Sequence, residues 1–487
     1  MKSTCLALVV FGAVLGALLL GGCTMGPKYV KPAVPMTPSF KESPPDQFRE
    51  SKDWKRAEPS QPLPAKWWEA FGDPQLNALE EQVLAGNQDL KVAEAHFREA
   101  RAMIRFNRAA QFPTITVGAS ANSIRYSDHR PYFSMNITAT GDFTLPFDLS
   151  YEIDLWGRIR RTVAAAREET QASTADLATA TLSVQAELAF DYFELRSADS
   201  QEQLLDDTVT AYTNALQLTK NRFEGGASPK SDVAQAQTQL ETTRAQDTDI
   251  GVQRAQFEHA IAILLGKPPA AFSLPPAPLD LEPPVIPVGV PSQLLERRPD
   301  IAAAERRAAE ANEQIGIARV AFFPTVTLGA AAGLEGTSLL NWFSWPSRFW
   351  AVGPSLAQTL FDGGRRRASS DIALANYDAV VATYRETTLT AFQQVEDNLA
   401  ALRVLEREGL QQRGAVAAAQ ESLQLFTNRY QGGVDNYLQV ITAQAATLNN
   451  ERTAIDILRR RMEASVLLIK ALGGGWDVSK MPQRANL

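Results

Sequence analysis

Few side chains in this 487-residue protein could carry covalent or metal chemistry: two cysteines and three histidines. His96, His129 and His259 stand far apart without metal-ligand spacing, so each is expected at the surface and no metal is expected. Neither a nucleophile elbow, a phosphate-binding loop nor a dinucleotide fingerprint is present, and no catalysis is expected. Cys23 is different. It closes Leu20-Gly21-Gly22-Cys23, at the end of an apolar run over residues 6–22 that follows Lys2. A short apolar core behind a basic residue is the pattern of a cleaved secretory signal. Its ending resembles a lipobox, where cleavage leaves an acylated cysteine as the first residue. Residues 1–22 are therefore expected to be a lipoprotein signal peptide, and the lipid on Cys23 is the only prosthetic group expected. Cys5 would leave with the signal, so no disulfide is expected in the mature chain. Thr24 stands where an aspartate would resemble an inner-membrane retention signal, which favours the outer membrane. A single acylated end anchors weakly, so further membrane contact is expected elsewhere.

Of the chain, 45% is hydrophobic and the formal net charge is -7, which gives no support for a nucleic-acid surface. Residues 23–65 are rich in proline and charge and read as a lipidated, extended arm. Most of the rest is duplicated, with an offset of about 207 residues. Ala-Gln-Phe-Pro-Thr-Ile-Thr-Val-Gly-Ala at 110–119 matches Ala-Phe-Phe-Pro-Thr-Val-Thr-Leu-Gly-Ala at 321–330. Leu-Trp-Gly-Arg-Ile-Arg-Arg at 155–161 corresponds to Phe-Asp-Gly-Gly-Arg-Arg-Arg at 361–367, and Asn-Arg-Phe-Glu-Gly-Gly at 221–226 to Asn-Arg-Tyr-Gln-Gly-Gly at 428–433. The first repeat is set at 66–267 and the second at 293–476, with a proline-rich linker at 268–292 and a tail at 477–487.

Within each repeat two strands come first, expected near 113–123 and 142–155, then 324–333 and 349–361. The clearest has Phe143, Leu145, Phe147, Leu149, Tyr151, Ile153 and Leu155 alternating with Thr144, Pro146, Asp148, Ser150, Glu152 and Asp154. One apolar and one polar, acidic face suit a barrel wall between lipid and a watery lumen. Pro146 and Pro354 are awkward there, because proline removes a ladder donor. About four strands per chain cannot close a membrane barrel, which needs about eight; three chains would supply about twelve.

Proline-free stretches rich in Ala, Leu, Gln, Glu and Arg then predict long helices at 157–223 and 364–430, with shorter returning helices at 229–265 and 436–472. Charges throughout exclude membrane spans, so they should project as rods into water. Coiled-coil spacing shows in Phe392, Val395, Leu399 and Leu402, and in Leu438, Ile441, Ala445, Leu448, Ile455 and Met462. Gly225, Gly226, Gly432 and Gly433 mark helical hairpin turns, where glycine can take the left-handed conformation and Ser228 or Asp435 can cap the returning helix. At the far ends of long rods, these turns are the surface a partner would meet.

The chain resembles the TolC-like outer membrane factor family, in its OprM/NodT lipoprotein branch. The resemblance runs from Cys23 to about Trp476. It rests on the lipobox, Gly26-Pro27-Lys28-Tyr29, Trp67-Trp68, the Phe-Pro strand starts, Asp154-Leu155-Trp156-Gly157-Arg158, Arg297-Arg298-Pro299-Asp300, Phe361-Asp362-Gly363-Gly364 and Leu472-Gly473-Gly474-Gly475-Trp476. It implies a membrane β-barrel continuous with a long α-helical barrel, formed by a homotrimer. The implied role is the exit duct of a tripartite efflux pump, fed by a periplasmic adaptor and an inner-membrane resistance-nodulation-division transporter. It also implies a gate at the tip: Tyr430 and Leu438 match two family positions, while Thr442 replaces an aspartate and Ala445 an arginine. Arg429 and Asp435 are the charges left at the tip. A duct for type I protein secretion would share this architecture. A periplasmic coiled-coil lipoprotein would explain the rods and the lipid but not the alternation at 143–155.

Overall fold

The computed structural model describes residues 25–42, 64–125, 127, 139–286, 288 and 291–482. The signal segment 1–22, Cys23, His129, part of the arm and the last five residues of the tail lie outside the described residues. Among the described residues, seven substantial helices form. Helices α1 (Pro74–Gly86), α2 (Gln88–Ala109) and α5 (Pro299–Val320) are additional to the sequence expectation; the long ones are α3 (Arg158–Glu224), α4 (Lys230–Leu264), α6 (Arg365–Gln431) and α7 (Tyr437–Ala471). The two longest have 67 residues each and their return helices 35 each. At 1.5 Å per residue, the longest are rods of about 100 Å.

The repeated junction motifs explain how the rods begin. Gly157 and Gly364 turn the chain with φ of 85° and 92°. Beside them, Asp154 accepts from the Ile159 and Arg160 amides at 3.1 and 2.9 Å, and Asp362 from those of Gly364 and Arg366 at 3.0 and 3.2 Å. Each carboxylate satisfies orphan amides and complements the positive end of a long helix. Shorter helices are capped the same way: Asp73 accepts from Gln75 and Leu76 at the start of α1. Asn87 accepts from the Leu90 amide at 3.0 Å and donates to the Leu264 carbonyl at 2.9 Å, tying α2 to the end of α4.

The strands form one antiparallel sheet: β1 (Thr114–Val117) and β2 (Ser120–Ile124) both pair with β3 (Thr140–Glu152), then come β4 (Thr325–Gly336) and β5 (Arg348–Ala357). The first expected strand is thus broken at Gly118 and Ala119, so five segments fill four positions across the sheet. That break accommodates Pro146, whose carbonyl accepts from Gly118 at 3.2 Å. On its other side Pro146 pairs with Gly333, where a Cβ would overlap the Leu145 carbonyl oxygen. Pro354 lies on β5, an edge strand within the chain, where a missing donor is tolerated. The alternation ends at Glu152, and Ile153 and Leu155 belong to the junction instead.

Between sheet and tips lies the main core, where Trp67, Trp68 and Phe71 pack with Tyr192 and Phe193 of α3, and Leu274, Leu279 and Ile286 of the linker are inserted. The arm is strapped along α5 and α6. Tyr29 donates to Glu305 at 2.6 Å, Asn312 to the Pro27 carbonyl at 3.3 Å, and the Lys41 and Glu42 amides to Glu396 at 2.7 and 2.9 Å. Helix α5 packs between α3 and α6, whereas its repeat counterpart α2 packs on α3 and leaves Val92, Met103 and Phe106 exposed.

Candidate channel wall and tunnel tip

Strand pairing extends the face segregation seen in β3 across the sheet. Ile115, Leu149, Ala330 and Val352 lie in one transverse row, and Val117, Phe147, Ala332 and Trp350 in another. The opposite face carries Thr114, Thr116, Ser120, Asp148, Ser150, Glu152, Thr327, Glu335 and Ser355, with Gly329, Gly333 and Gly353 between them. Hydroxyls bond across the strands on that face, Ser120 with Thr144 and Thr327 with Ser355, both at 2.7 Å. Glu152 is bridged by Arg158 at 2.8 and 2.7 Å. Apart from Trp342, which packs on Phe143 at its outer end, the apolar face is left uncovered by the described residues: Ile115, Val117, Phe147, Trp350, Val352 and Leu356 are all exposed. β1 and β2 pair with β3 alone and β5 with β4 alone, so each outer edge lacks a partner among the described residues.

The tips repeat each other closely. The amides of Gly225, Gly226 and Ala227 donate to the carbonyls of Asn221, Phe223 and Arg222, and those of Gly432, Gly433 and Val434 to Asn428, Tyr430 and Arg429. Only the second glycine of each pair is left-handed, Gly226 at φ 75° and Gly433 at φ 74°. Gly225 and Gly432 have φ of -77° and -75°. The expected side-chain caps do not form, because Pro229 and Asn436 take the cap positions without side-chain bonds. Ser228 is drawn back to the Thr219 carbonyl, and Asp435 pairs with Arg429 at 2.6 and 3.1 Å. This guanidinium holds the Asp435 carboxyl below the usual carboxylate range.

Tyr430 is only 3% exposed, its ring centroid 5.1 Å from that of Tyr437 in a cluster with Tyr212, Leu216 and Leu240. Its hydroxyl has no hydrogen-bond partner among the described residues. Burial pushes the Tyr437 phenol up to about 12. The residue that sequence reasoning missed is Arg222. It donates to the Gln431 carbonyl at 2.9 Å and lies over the Tyr430 ring at 4.7 Å, clamping one hairpin to the other. Its position opposite Arg429 in the repeat was the available signal.

Near the tip the buried seam of α7 runs through Tyr437, Val440, Gln444 and Thr447, one position before Leu438, Ile441, Ala445 and Leu448, although Leu448 is also buried. Apolar type alone misplaced it, because polar side chains carry part of this interface. Leu438 is 53% exposed, and Thr442 and Ala445 are exposed on the same stripe. His96 and His259 are exposed, and no group of three metal-ligating side chains occurs among the described residues.

An amphipathic sheet with unpaired edges, set on paired 67-residue rods that end in clamped hairpins, defines the protomer of a channel. The family model for outer membrane efflux proteins matches residues 79–267 and 290–474, the two repeats. The chain is 34% identical to the toluene efflux pump outer membrane protein TtgF of Pseudomonas putida over 475 residues, covering 96% of this chain and 98% of that one. It is 33% identical to outer membrane protein OprJ of Pseudomonas aeruginosa, with 96% and 95% covered. The solved outer-membrane channel OprN superposes with a TM-score of 0.84 at 31% identity, covering 93% of this chain and all of that one. The chain belongs to the outer membrane efflux protein family, the outer-membrane exit ducts of efflux pumps.

Proposed function

We propose that three copies close a barrel of about twelve strands over a continuous helical tunnel, which passively conducts drugs or other small toxic compounds from periplasm to exterior. The segregation of apolar and polar side chains across a sheet with two unpaired edges carries this reading. A bilayer tolerates no open edge, so the edges must meet those of other copies. The repeat supports the same assembly: α5 has α6 on its far flank, and the exposed flank of α2 fits a neighbour's α6, where Ile372 and Leu374 are exposed. Lipid on Cys23 would enter the membrane beside the barrel, because the Met25 amide donates to the Trp156 carbonyl at the strand-to-rod junction, at 3.2 Å. The hairpin tips would meet a periplasmic adaptor bound to a resistance-nodulation-division transporter, whose energy drives export.

Light scattering of the detergent-extracted protein should give the mass of a trimer, and planar bilayers should show its conductance. A stable monomer, or a trimer that never conducts, sinks the proposal.

A further inference from the structure

The helical layer below the sheet is left open in the same way as the sheet. Its order is α2, α3, α5 and α6, with one flank of α2 and one flank of α6 exposed. These flanks belong to the two unpaired sheet edges, since α2 leads into β1 and β5 leads into α6. A copy whose β1 and β2 meet a neighbour's β5 therefore brings its α2 beside that neighbour's α6.

The chain holds a finished version of such a contact. Aligned on Phe112-Pro113 and Phe323-Pro324, α2 is the counterpart of α5; aligned on Gly157 and Gly364, α3 is the counterpart of α6. The buried contact of α3 with α5 is thus a pattern for α6 against the next copy's α2. Within the chain, Arg161 bonds Glu313 at 2.6 Å, Arg306 bonds Glu168 at 3.0 Å, and Arg307 bonds Asp176. Arg161 also lies over Gly316, where a Cβ would come 2.5 Å from its Cδ. Ala175 is buried with Ala302 and Ala303.

At the matching positions the ion pairs disappear and bulk changes sides. Arg306 and Glu168 correspond to Ala95 and Ala375, and Glu313 and Arg161 to Ala102 and Ala368. Gly316 corresponds to Arg105, so the long side chain now stands on the other helix, opposite Ala368. Both members of each pair are lost together, which leaves no stranded charge. Ala95, Ala102, Ala368, Ala375 and Ala382 are all exposed in the single chain, and the last three stand one heptad apart. Small side chains at that spacing let two helices approach closely. The α3 surface is not free to take α2 instead, because α5 covers it and supplies the partners of Glu168 and Arg161.

We propose that α6 packs on the α2 of the next copy in the register of α3 on α5, setting Ala375 against Ala95 and Ala368 against Ala102 and Arg105. The seam between copies is apolar and close-packed where its twin inside each copy is ion-paired. Such a head-to-tail contact closes a ring. This register rests on the assembly proposed above and adds the surface through which it forms.

Cysteine pairs in the full-length protein test the register. In outer membranes, a short bismaleimide should join Ala95→Cys, Ala375→Cys chains into covalent dimers and trimers. The yield should be several-fold higher than for Ala95→Cys with Ala368→Cys or with Ala382→Cys, each about 10 Å away along the rod. Ala95→Cys alone should stay unlinked. Ala375→Glu should cut the trimer fraction in detergent several-fold, and adding Ala95→Arg should restore it by re-creating the Arg306–Glu168 pair. A conducting trimer that links best at Ala368 or Ala382, that links nowhere, that ignores Ala375→Glu, or that Ala95→Arg fails to rescue overturns the seam while the exit duct stands. A chain that stays monomeric overturns both.

Discussion

Glu80 lies on the inward face of α1, and neither carboxylate oxygen has a hydrogen-bond partner among the described residues. Burial pushes its pKa up to about 9, from an ordinary 4.5. Between these values the folded chain holds a proton that the unfolded chain releases, so stability falls as pH rises through that window. At pH 7 the cost is about 3 kcal/mol. Glu80→Met should therefore raise the thermal midpoint clearly at pH 8 and little at pH 5. Equal pH dependence in both proteins would refute the assignment. At the tip, Leu438 is an exposed apolar residue near a self-contained Arg429–Asp435 pair. Three such leucines on an axis would exclude water and ions, so Leu438→Ser should raise single-channel conductance several-fold. Asp435→Asn should change it little, since it leaves Arg222 on Tyr430 and Gln431 intact. An unchanged Leu438→Ser channel would put the constriction elsewhere.

At the scale of elements, the two hairpin turns differ within each glycine pair. Gly433→Ala should cost roughly 1–2 kcal/mol because its φ of 74° is left-handed. Gly432→Ala should cost much less, its φ being -75° and its nearest Cβ contact 3.4 Å. Amide hydrogen exchange around 428–437 checks this, and equal protection in both variants would contradict it. The rods and strands were legible because they depend on local pattern: long stretches without proline, and an uninterrupted period of two. Helices α2 and α5 were not, since Gln88–Ala109 and Pro299–Val320 stand immediately before strand signals and lack the extreme length that exposed the rods. The break at Gly118 and Ala119 is dictated by Pro146 on another strand, a long-range cause invisible in a window of sequence. Arg222 was hidden for the same reason, its partners lying 208 and 209 residues away in the chain.

For the whole molecule, membrane attachment is expected to rest on the barrel more than on the lipid. A single acyl-bearing end binds membranes weakly, whereas each protomer brings an exposed apolar sheet face. Cys23→Ser should abolish acylation and still leave trimers in the outer-membrane fraction; a fully soluble periplasmic mutant would disprove the barrel. The equal rods have a consequence for how such a chain can evolve. With 67 and 35 residues in each repeat, both hairpins reach the same level, and Arg222 binds Gln431 across them. A heptad added to one hairpin alone would offset its tip by about 10 Å and strand that arginine. Length is therefore inherited in pairs: the two copies have been free to diverge in sequence, but an insertion in one survives only when its twin receives the same.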